Sequence, residues 1–340
     1  MKCVVIAAGY ATRLGELTKN FPKPLLKIGQ NTILGRMLDD IDQIPEIDEH
    51  IIITNHKFAP IFEDWRNERL QAPLTSHCSQ RVSAGLSESG ASPASSMVSG
   101  GSPASSMVSG SSPASSMVSG GSPASSMVSG ASPASSMVSG DSPASSMVSG
   151  GSPASISVPS GLAARKPITI IDDGTETNDT RLGAVCDLLF AMDKLCIKDD
   201  MLVVAADNLL FFSFNEFVKF AKEKGTSCIM CHEQRSIEKL QRTGVVELDA
   251  SNRVLGMEEK PEVPKSHWAV PPFYIYLKKD LDLVRHSVAN GCGKDAPGNL
   301  AHYMVEHTTM HAWPMSAGRF DIGSLDTYYQ ACELAREGKI

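Results

Sequence analysis

Apolar positions recur along this chain in two rhythms. Short unbroken runs rich in β-branched residues, Val4-Val5-Ile6 and Ile51-Ile52-Ile53, predict buried strands at 2–8 and 50–55. Each is followed by helical spacing. Ile33, Leu34, Met37, Leu38 and Ile41 predict a helix over 31–44, capped by Asn31 or Thr32, and Ile61, Phe62 and Trp65 mark one face of a helix over 59–69. Two strand-then-helix units in succession argue for a parallel sheet with crossover helices. The same rhythms return at Pro167. They predict a strand, a polar loop and a helix over 168–195, a strand at 201–205, an amphipathic helix at 214–224 and a strand at 227–231. A hairpin follows (245–248 and 253–258 around 249–252), then a strand at 273–277 and helices at 280–290, 298–306 and 325–337. The fold class is therefore α/β, with a mixed, mostly parallel central sheet and flanking helices.

Between the two flanks the pattern collapses. SPASSMVSG occurs six times in full, starting at Ser92, Ser102, Ser112, Ser122, Ser132 and Ser142, and a seventh copy begins at Ser152 and breaks off at Ile156. Each ten-residue unit offers only Met and Val as sizeable apolar groups, too little to offset its ordering entropy. Residues 75–162 are read as a disordered Ser/Gly/Pro-rich decapeptide-repeat insertion, and 1–74 with 163–340 as one discontinuous domain.

Composition narrows the function. A formal charge of −7 over 340 residues argues against broad nucleic-acid binding, and 42% hydrophobic residues suit a sizeable core. No apolar run reaches the ~18 residues of a membrane helix, and the first apolar run is too short for a signal peptide. Of the eight cysteines only Cys228 and Cys231 form a CxxC, without a second pair, so reduced thiols in a cytoplasmic protein are the expectation.

The chemistry gathers where the strands end. Gly9 closes the first strand and is expected to make a sharp turn beside a ligand. Thr12, Arg13 and Lys23 follow, giving a loop whose backbone N–H groups and two cations suit a triphosphate. The dinucleotide pattern G-x-G-x-x-G and the Walker A Gly-Lys-Ser/Thr are both absent. Asp207 falls just past the strand at 201–205, where ligands bind in an open α/β sheet, and Asp321 is a second carboxylate. If the two meet they suit Mg²⁺, which takes oxygen ligands and substrate phosphates.

These motifs resemble the signature of the sugar-1-phosphate nucleotidylyltransferases, of the glucose-1-phosphate thymidylyltransferase type. Gly9, Thr12, Arg13, Leu14, Phe21, Pro22, Lys23 and Pro24 match G-x-G-T-R-L and F-P-K-P-L, with Ala11 in place of the second glycine. Asp207 stands at the metal aspartate of G-D-N, with Ala206 for the glycine. Asp321 stands at that of W-x-D-x-G-T/S, with Phe320 near the aromatic position. Glu259 and Lys260 lie in a stretch similar to E-E-K-P. The resemblance covers residues 1–70 and about 166–335. It implies a Rossmann-like (GT-A-like) nucleotidyltransferase domain. Ala8, Gly9, Thr12, Arg13, Lys23, Gly183 and Asp207 would bind nucleotide, with Leu182 and Asp187 in the base loop. Gly244, Glu259, Lys260 and Val270 would bind the sugar phosphate, and Asp207 and Asp321 the metal. The family's Thr-Gly after this valine is Pro271-Pro272 here, a departure that bears on the sugar.

The implied reaction couples a nucleoside triphosphate to a sugar 1-phosphate and releases pyrophosphate, with Arg13, Lys23 and Lys260 as the catalytic cations. A cytidylyltransferase acting on phosphocholine or another non-sugar phosphate would use the same chemistry, with Trp268 and Tyr274 as its aromatic candidates. A nucleotide-binding regulatory protein with impaired turnover is the reading from another class, prompted by Ala11 and Ala206.

Overall fold

The first strand, β1 (Lys2–Ile6), shows how the domain is layered. Cys3 and Val5 enter one buried cluster and Val4 enters another on the opposite face of the sheet. That is the mark of a sheet covered on both sides. The computed structural model describes residues 1–71 and 165–340. The repeat insertion expected at 75–162, and Cys78 with it, lies outside the described residues.

In chain order the elements are β1, α1 (Glu16–Lys19), β2 (Lys27–Ile28), β3 (Asn31–Thr32), α2 (Ile33–Ile41), β4 (Glu49–Thr54), α3 (Ala59–Gln71), β5 (Ile168–Asp172) and α4 (Ala184–Lys194). There follow β6 (Met201–Ala205), β7 (Asn208–Leu210), α5 (Phe214–Lys224), β8 (Ser227–Glu233), α6 (Ile237–Leu240), β9 (Gly244–Leu248) and β10 (Val254–Glu259). The chain ends with β11 (Trp268–Val270), β12 (Phe273–Tyr276), α7 (Leu281–His286), α8 (Pro297–His307), β13 (Met310–Pro314), β14 (Arg319–Asp321) and α9 (Leu325–Arg336).

The main sheet has ten strands in the order β10-β9-β11-β8-β12-β6-β1-β4-β5, with β13 paired to β8. β6, β1, β4 and β5 run parallel, so their C-terminal ends share one edge. Antiparallel β12 joins this half to the strands carrying the E-E-K-P-like segment. Helices α2, α3 and α5 bury Leu34, Leu38, Phe62 and Phe217 on one face, while α4, α7 and α8 bury Leu188, Val284 and Leu300 on the other. A smaller third cluster contains Leu14, Leu26, Ile28, Ile33, Leu209, Ile322 and Ala331.

Several elements differ from expectation for local reasons. The helix expected at 31–44 begins at Ile33, because Asn31 and Thr32 pair with Ile28 and Lys27, and the Thr32 side chain caps it by accepting Gly35 N at 2.9 Å. The helix expected at 280–290 shortens to α7. β7, β11, β13 and β14 were not foreseen. They are short or interrupted by His, Pro and charged residues, and form only because a partner strand supplies the ladder. Cys228 and Cys231 lie in opposite clusters, on opposite faces of β8, with both thiols pushed up to about 12 by burial. They cannot act as a pair, and the described cysteines are free.

The two flanks of the repeat insertion meet at one carboxylate pair. Arg69, near the end of α3, reaches Asp42 at 2.8 Å and Asp39 at 2.9 Å, and Arg165 reaches the same Asp39 oxygen at 2.9 Å. Buried His50 adds a 2.8 Å contact to Asp42. Burial raises the Asp42 carboxyl, but His50 and Arg69 outweigh it and hold it below its usual range. A depressed acid stabilises above its unfolded pKa and loses that contribution as pH falls through the folded one. Asp42→Ala, which leaves Arg69 buried and short of a partner, should lose about 3–5 kcal/mol in urea unfolding at neutral pH. The difference from the unsubstituted chain should shrink as the pH is lowered below about 4.

Candidate active site

The loop after β1 is fixed from below before it meets any ligand. Ala8 O accepts from Asn55 Nδ2 at 3.0 Å, Tyr10 donates to Thr175 O at 3.0 Å, and Thr18 donates to Ala11 O at 2.9 Å. Leu14 is buried in the third cluster, which leaves its neighbours Thr12 and Arg13 exposed on a single tight turn. Ala11 adopts φ 48° and ψ 39°, the left-handed conformation, at the position where the resembling motif has glycine. The loop thus keeps a glycine-like backbone despite a Cβ, at a strain of about 1–2 kcal/mol. Gly9 is a correction. Its φ is not in the left-handed region, so the turn does not demand a glycine there. What its missing side chain leaves is open space, since a Cβ would meet nothing within 4 Å.

The two expected carboxylates are brought together by a ribbon rather than by the main sheet. β7 and β14 pair antiparallel, with Asn208 opposite Asp321, Leu209 opposite Phe320 and Leu210 opposite Arg319. Ile322 N donates to Asp207 O at 3.1 Å and closes the end of the ribbon. Ala11, Thr12, Arg13, Leu14, Lys23, Asp207, Asp321 and Gly323 line a cavity of about 230 Å³. Within it Lys23 Nζ lies 3.2 Å from Asp207 Oδ2. The Asp321 carboxyl is pushed up by loss of solvation and by the Asp207 charge, and pulled back by Lys23, Arg319 and Arg13. Two carboxylates that line one open cavity are a fit for a cation. Among the described residues no group of three or more His, Cys, Asp or Glu converges on a metal position. A metal here would therefore take two protein oxygens and draw the rest from water and phosphate, which is the habit of Mg²⁺.

A second cluster holds the residues expected to meet the sugar phosphate. A Cβ on Gly244 would lie 3.1 Å from Glu259 Oε2 and 3.3 Å from Val270 Cβ, so the three are neighbours and glycine is what lets them approach. Glu259 also packs on Gly298 at the start of α8. Burial raises the Glu259 carboxyl, while Lys260 and His302 lower it. Lys260 takes φ 53°, with Nζ 3.7 Å from Glu259 Oε1 and its side chain largely exposed. Tyr274 is buried in the core and Trp268 is partly buried against His267. Pro272 O accepts Ala205 N at 3.1 Å, tying the departing Pro-Pro segment to the strand that leads to Asp207.

Gly183 shows why its position admits no side chain. It has φ 94°, and a Cβ would lie 2.6 Å from Lys294 O. Asp187, one turn into α4, is buried against Asp173 at the end of β5. Burial, then the Asp173 charge, pushes Asp187 up to about 7. Asp173 Oδ1 accepts from Thr175 N at 2.7 Å, while Asp173 Oδ2 and Asp187 Oδ1 are buried without a hydrogen-bond partner among the described residues. Asp187 is thus buried beside Asp173 and is not among the residues that line the cavity. Sequence reasoning missed Asn208 and Arg319, which connect to Asp207 through hydrogen bonds. The signal was the spacing: two residues before Asp321 stands Arg319, so Arg319 and not Phe320 occupies the aromatic position of W-x-D-x-G-T/S.

With this geometry in place, similarity to known proteins is informative. The family described as nucleotidyl transferase matches residues 2–96 and 175–338. A glucose-1-phosphate thymidylyltransferase of Mycolicibacterium smegmatis is 30% identical over 95 residues, 27% of this chain and 33% of that protein. A glucose-1-phosphate adenylyltransferase of Fervidobacterium nodosum is 24% identical over 139 residues, 40% of this chain and 34% of that protein. The chain thus spans about a third of the length of these relatives. A UDP-glucose pyrophosphorylase solved with UDP-glucose shares the fold, with a TM-score of 0.61 at 15% identity over 99% of this chain and 98% of that one.

An acid whose folded pKa is raised favours the fold while protonated, and that advantage is lost as pH rises through the folded value. Asp187→Asn cannot ionise. Its stability relative to the unsubstituted chain should therefore climb between about pH 4 and pH 7 and level off above. Urea midpoints measured across that range check this; a constant difference would show that the Asp187 acid is not raised in the fold.

Proposed function

The chain belongs to the nucleotidyl transferase family, and from that premise we propose that it transfers a nucleotidyl group from a nucleoside triphosphate to a sugar 1-phosphate, releasing pyrophosphate. The observation that carries this reading is the single cavity joining Arg13 and Lys23 to Asp207 and Asp321. Both named relatives act on glucose 1-phosphate, which makes a hexose 1-phosphate the first acceptor to try.

The acceptor phosphate is already an anion at neutral pH, so its attack on the α-phosphorus needs no strong general base. What remains is positioning and neutralisation of charge. Arg13 and Lys23 would hold the triphosphate and stabilise the departing pyrophosphate. Lys260 would orient the acceptor phosphate, with Glu259 and the Gly244 backbone on its hydroxyls. Gly9 leaves room for the nucleotide beside Ala8, Thr12 offers a hydroxyl on the same loop, and Gly183 and Val270 line the base and sugar ends. Asp207 and Asp321 would hold Mg²⁺, which when bound supplies charge neutralisation to the phosphates. Lys23 sits on Asp207, and to hold the triphosphate it would exchange that carboxylate for a phosphate.

Two observations weigh on the alternatives. Tyr274 is core, and Trp268 is partly buried with its ring tilted against His267, which counts against an aromatic cage for a choline group built from the two. The left-handed backbone of Ala11 argues that the loop shape survives its departure from the motif. Localisation in the cytoplasm fits nucleotide and sugar phosphate as substrates, and no described helix is long and apolar enough to cross a membrane.

The test is pyrophosphate release across a panel of the common nucleoside triphosphates against sugar 1-phosphates and phosphocholine, with Mg²⁺. Release with phosphocholine alone selects the other acceptor class, and no release with any pair selects the regulatory reading. The two lysines should separate in the same assay. Lys23→Ala should weaken triphosphate use and Lys260→Ala acceptor use, each by about 2–4 kcal/mol in kcat/KM for its own substrate. The opposite assignment would reverse the placement of the two substrates.

A further inference from the structure

Asp207 is held at both carboxylate oxygens, and the second contact leads away from the cavity. Lys23 takes Oδ2 at 3.2 Å, and Asn208 Nδ2 donates to Oδ1 at 2.6 Å. Asn208 is itself buried, and its Oδ1 accepts from Arg319 Nη1 on the paired strand. The order of these groups matters chemically. A side-chain amide presents a donor at one end and an acceptor at the other, and either end can face a given neighbour. A carboxylate only accepts and a guanidinium only donates. Between Asp207 and Arg319 the Asn208 amide has one satisfactory orientation, with its NH₂ toward Asp207. The reverse would set oxygen against carboxylate and N–H against guanidinium. Arg319 keeps this position although its Nε is buried and finds no partner among the described residues, a cost that an arginine swung to solvent would avoid.

We propose that Arg319 is a positioning residue for Asp207. By holding the Asn208 amide in one orientation it fixes the plane of the carboxylate that faces Asp321 and the cavity. The proposal rests on reading Asp207 and Asp321 as metal ligands. It explains why a cation stands at the aromatic position of the W-x-D-x-G-T/S pattern in this chain. With Arg319 in place, an oxygen of Asp207 is presented to the metal without a reorientation step. Without it the amide can turn, and the carboxylate loses a defined direction. Outer partners of metal ligands typically contribute 10–100-fold to metal affinity or activity.

The experiment is a titration of the full chain with Mn²⁺ alone, free ion being read by electron paramagnetic resonance without nucleotide. Asp207→Asn comes first. If it binds Mn²⁺ as tightly as the unsubstituted chain, Asp207 is not a ligand and both the metal reading and this proposal fall. If it loses binding, Arg319→Met should weaken Mn²⁺ by about ten-fold with the melting temperature nearly kept, and Arg319→Lys, which retains a donor and the charge, should recover most of that loss. Asn208→Ala should weaken Mn²⁺ similarly, and adding Arg319→Met to it should do little more, because the arginine acts through the amide. Full additivity in this cycle would show that Arg319 acts through its field alone and would overturn the proposal, as would unchanged affinity in Arg319→Met. Should Arg319→Met not fold, Arg319→Gln takes its place in the same cycle with the same outcomes.

Discussion

The site depends on keeping two carboxylates, far apart in the chain, side by side at an open cavity. Like charges repel, and the Asp207 charge is among the causes that push the Asp321 carboxyl up. Asp207 and Asp321 are not left to manage this by themselves. The β7–β14 ribbon fixes their backbones, and Lys23, Arg319 and Arg13 surround them with positive charge. The remaining unfavourable field is what a divalent cation would relieve.

Apolar anchors next to each of these residues hold the arrangement. Leu14 follows Arg13, Leu209 lies two residues past Asp207, and Ile322 follows Asp321; all three are buried in one small cluster with α9 alongside. Burying each contributes about 2 kcal/mol to holding the loop and the ribbon in place. The cluster is separate from the two layers that stabilise the sheet. The parallel strands supply the floor: β1 and β6 end beside one another, so the loop after β1 and Asp207 leave the sheet at the same edge.

Much of this was legible in the sequence, and the exceptions have physical reasons. The long strands and helices were visible because their apolar rhythm matches their period, as in 201–205 and 214–224, both of which have the expected bounds. The ribbon was not, because Asn208 to Leu210 and Arg319 to Asp321 carry no period of their own and exist only as partners. Candidate residues could be picked from motif spacing, yet their conformations could not. The glycine-like backbone belongs to Ala11 and not to Gly9, and Asp187 turned out to be buried beside Asp173. The Asn208–Arg319 connection lay wholly outside pattern reading, since it depends on the orientation of one amide.

The claim on which everything else rests is that Asp207 and Asp321 jointly hold a cation that also meets the triphosphate bound by the first loop. Crystals soaked with Mn²⁺ and a non-hydrolysable nucleoside triphosphate test it through anomalous diffraction at the manganese edge. The account predicts one strong peak within coordination distance of a carboxylate oxygen of each aspartate and of a phosphate oxygen, with Lys23 moved from Asp207 onto the phosphates. A peak elsewhere, or a triphosphate bound with Lys23 still on Asp207 and no metal between the two aspartates, would contradict it.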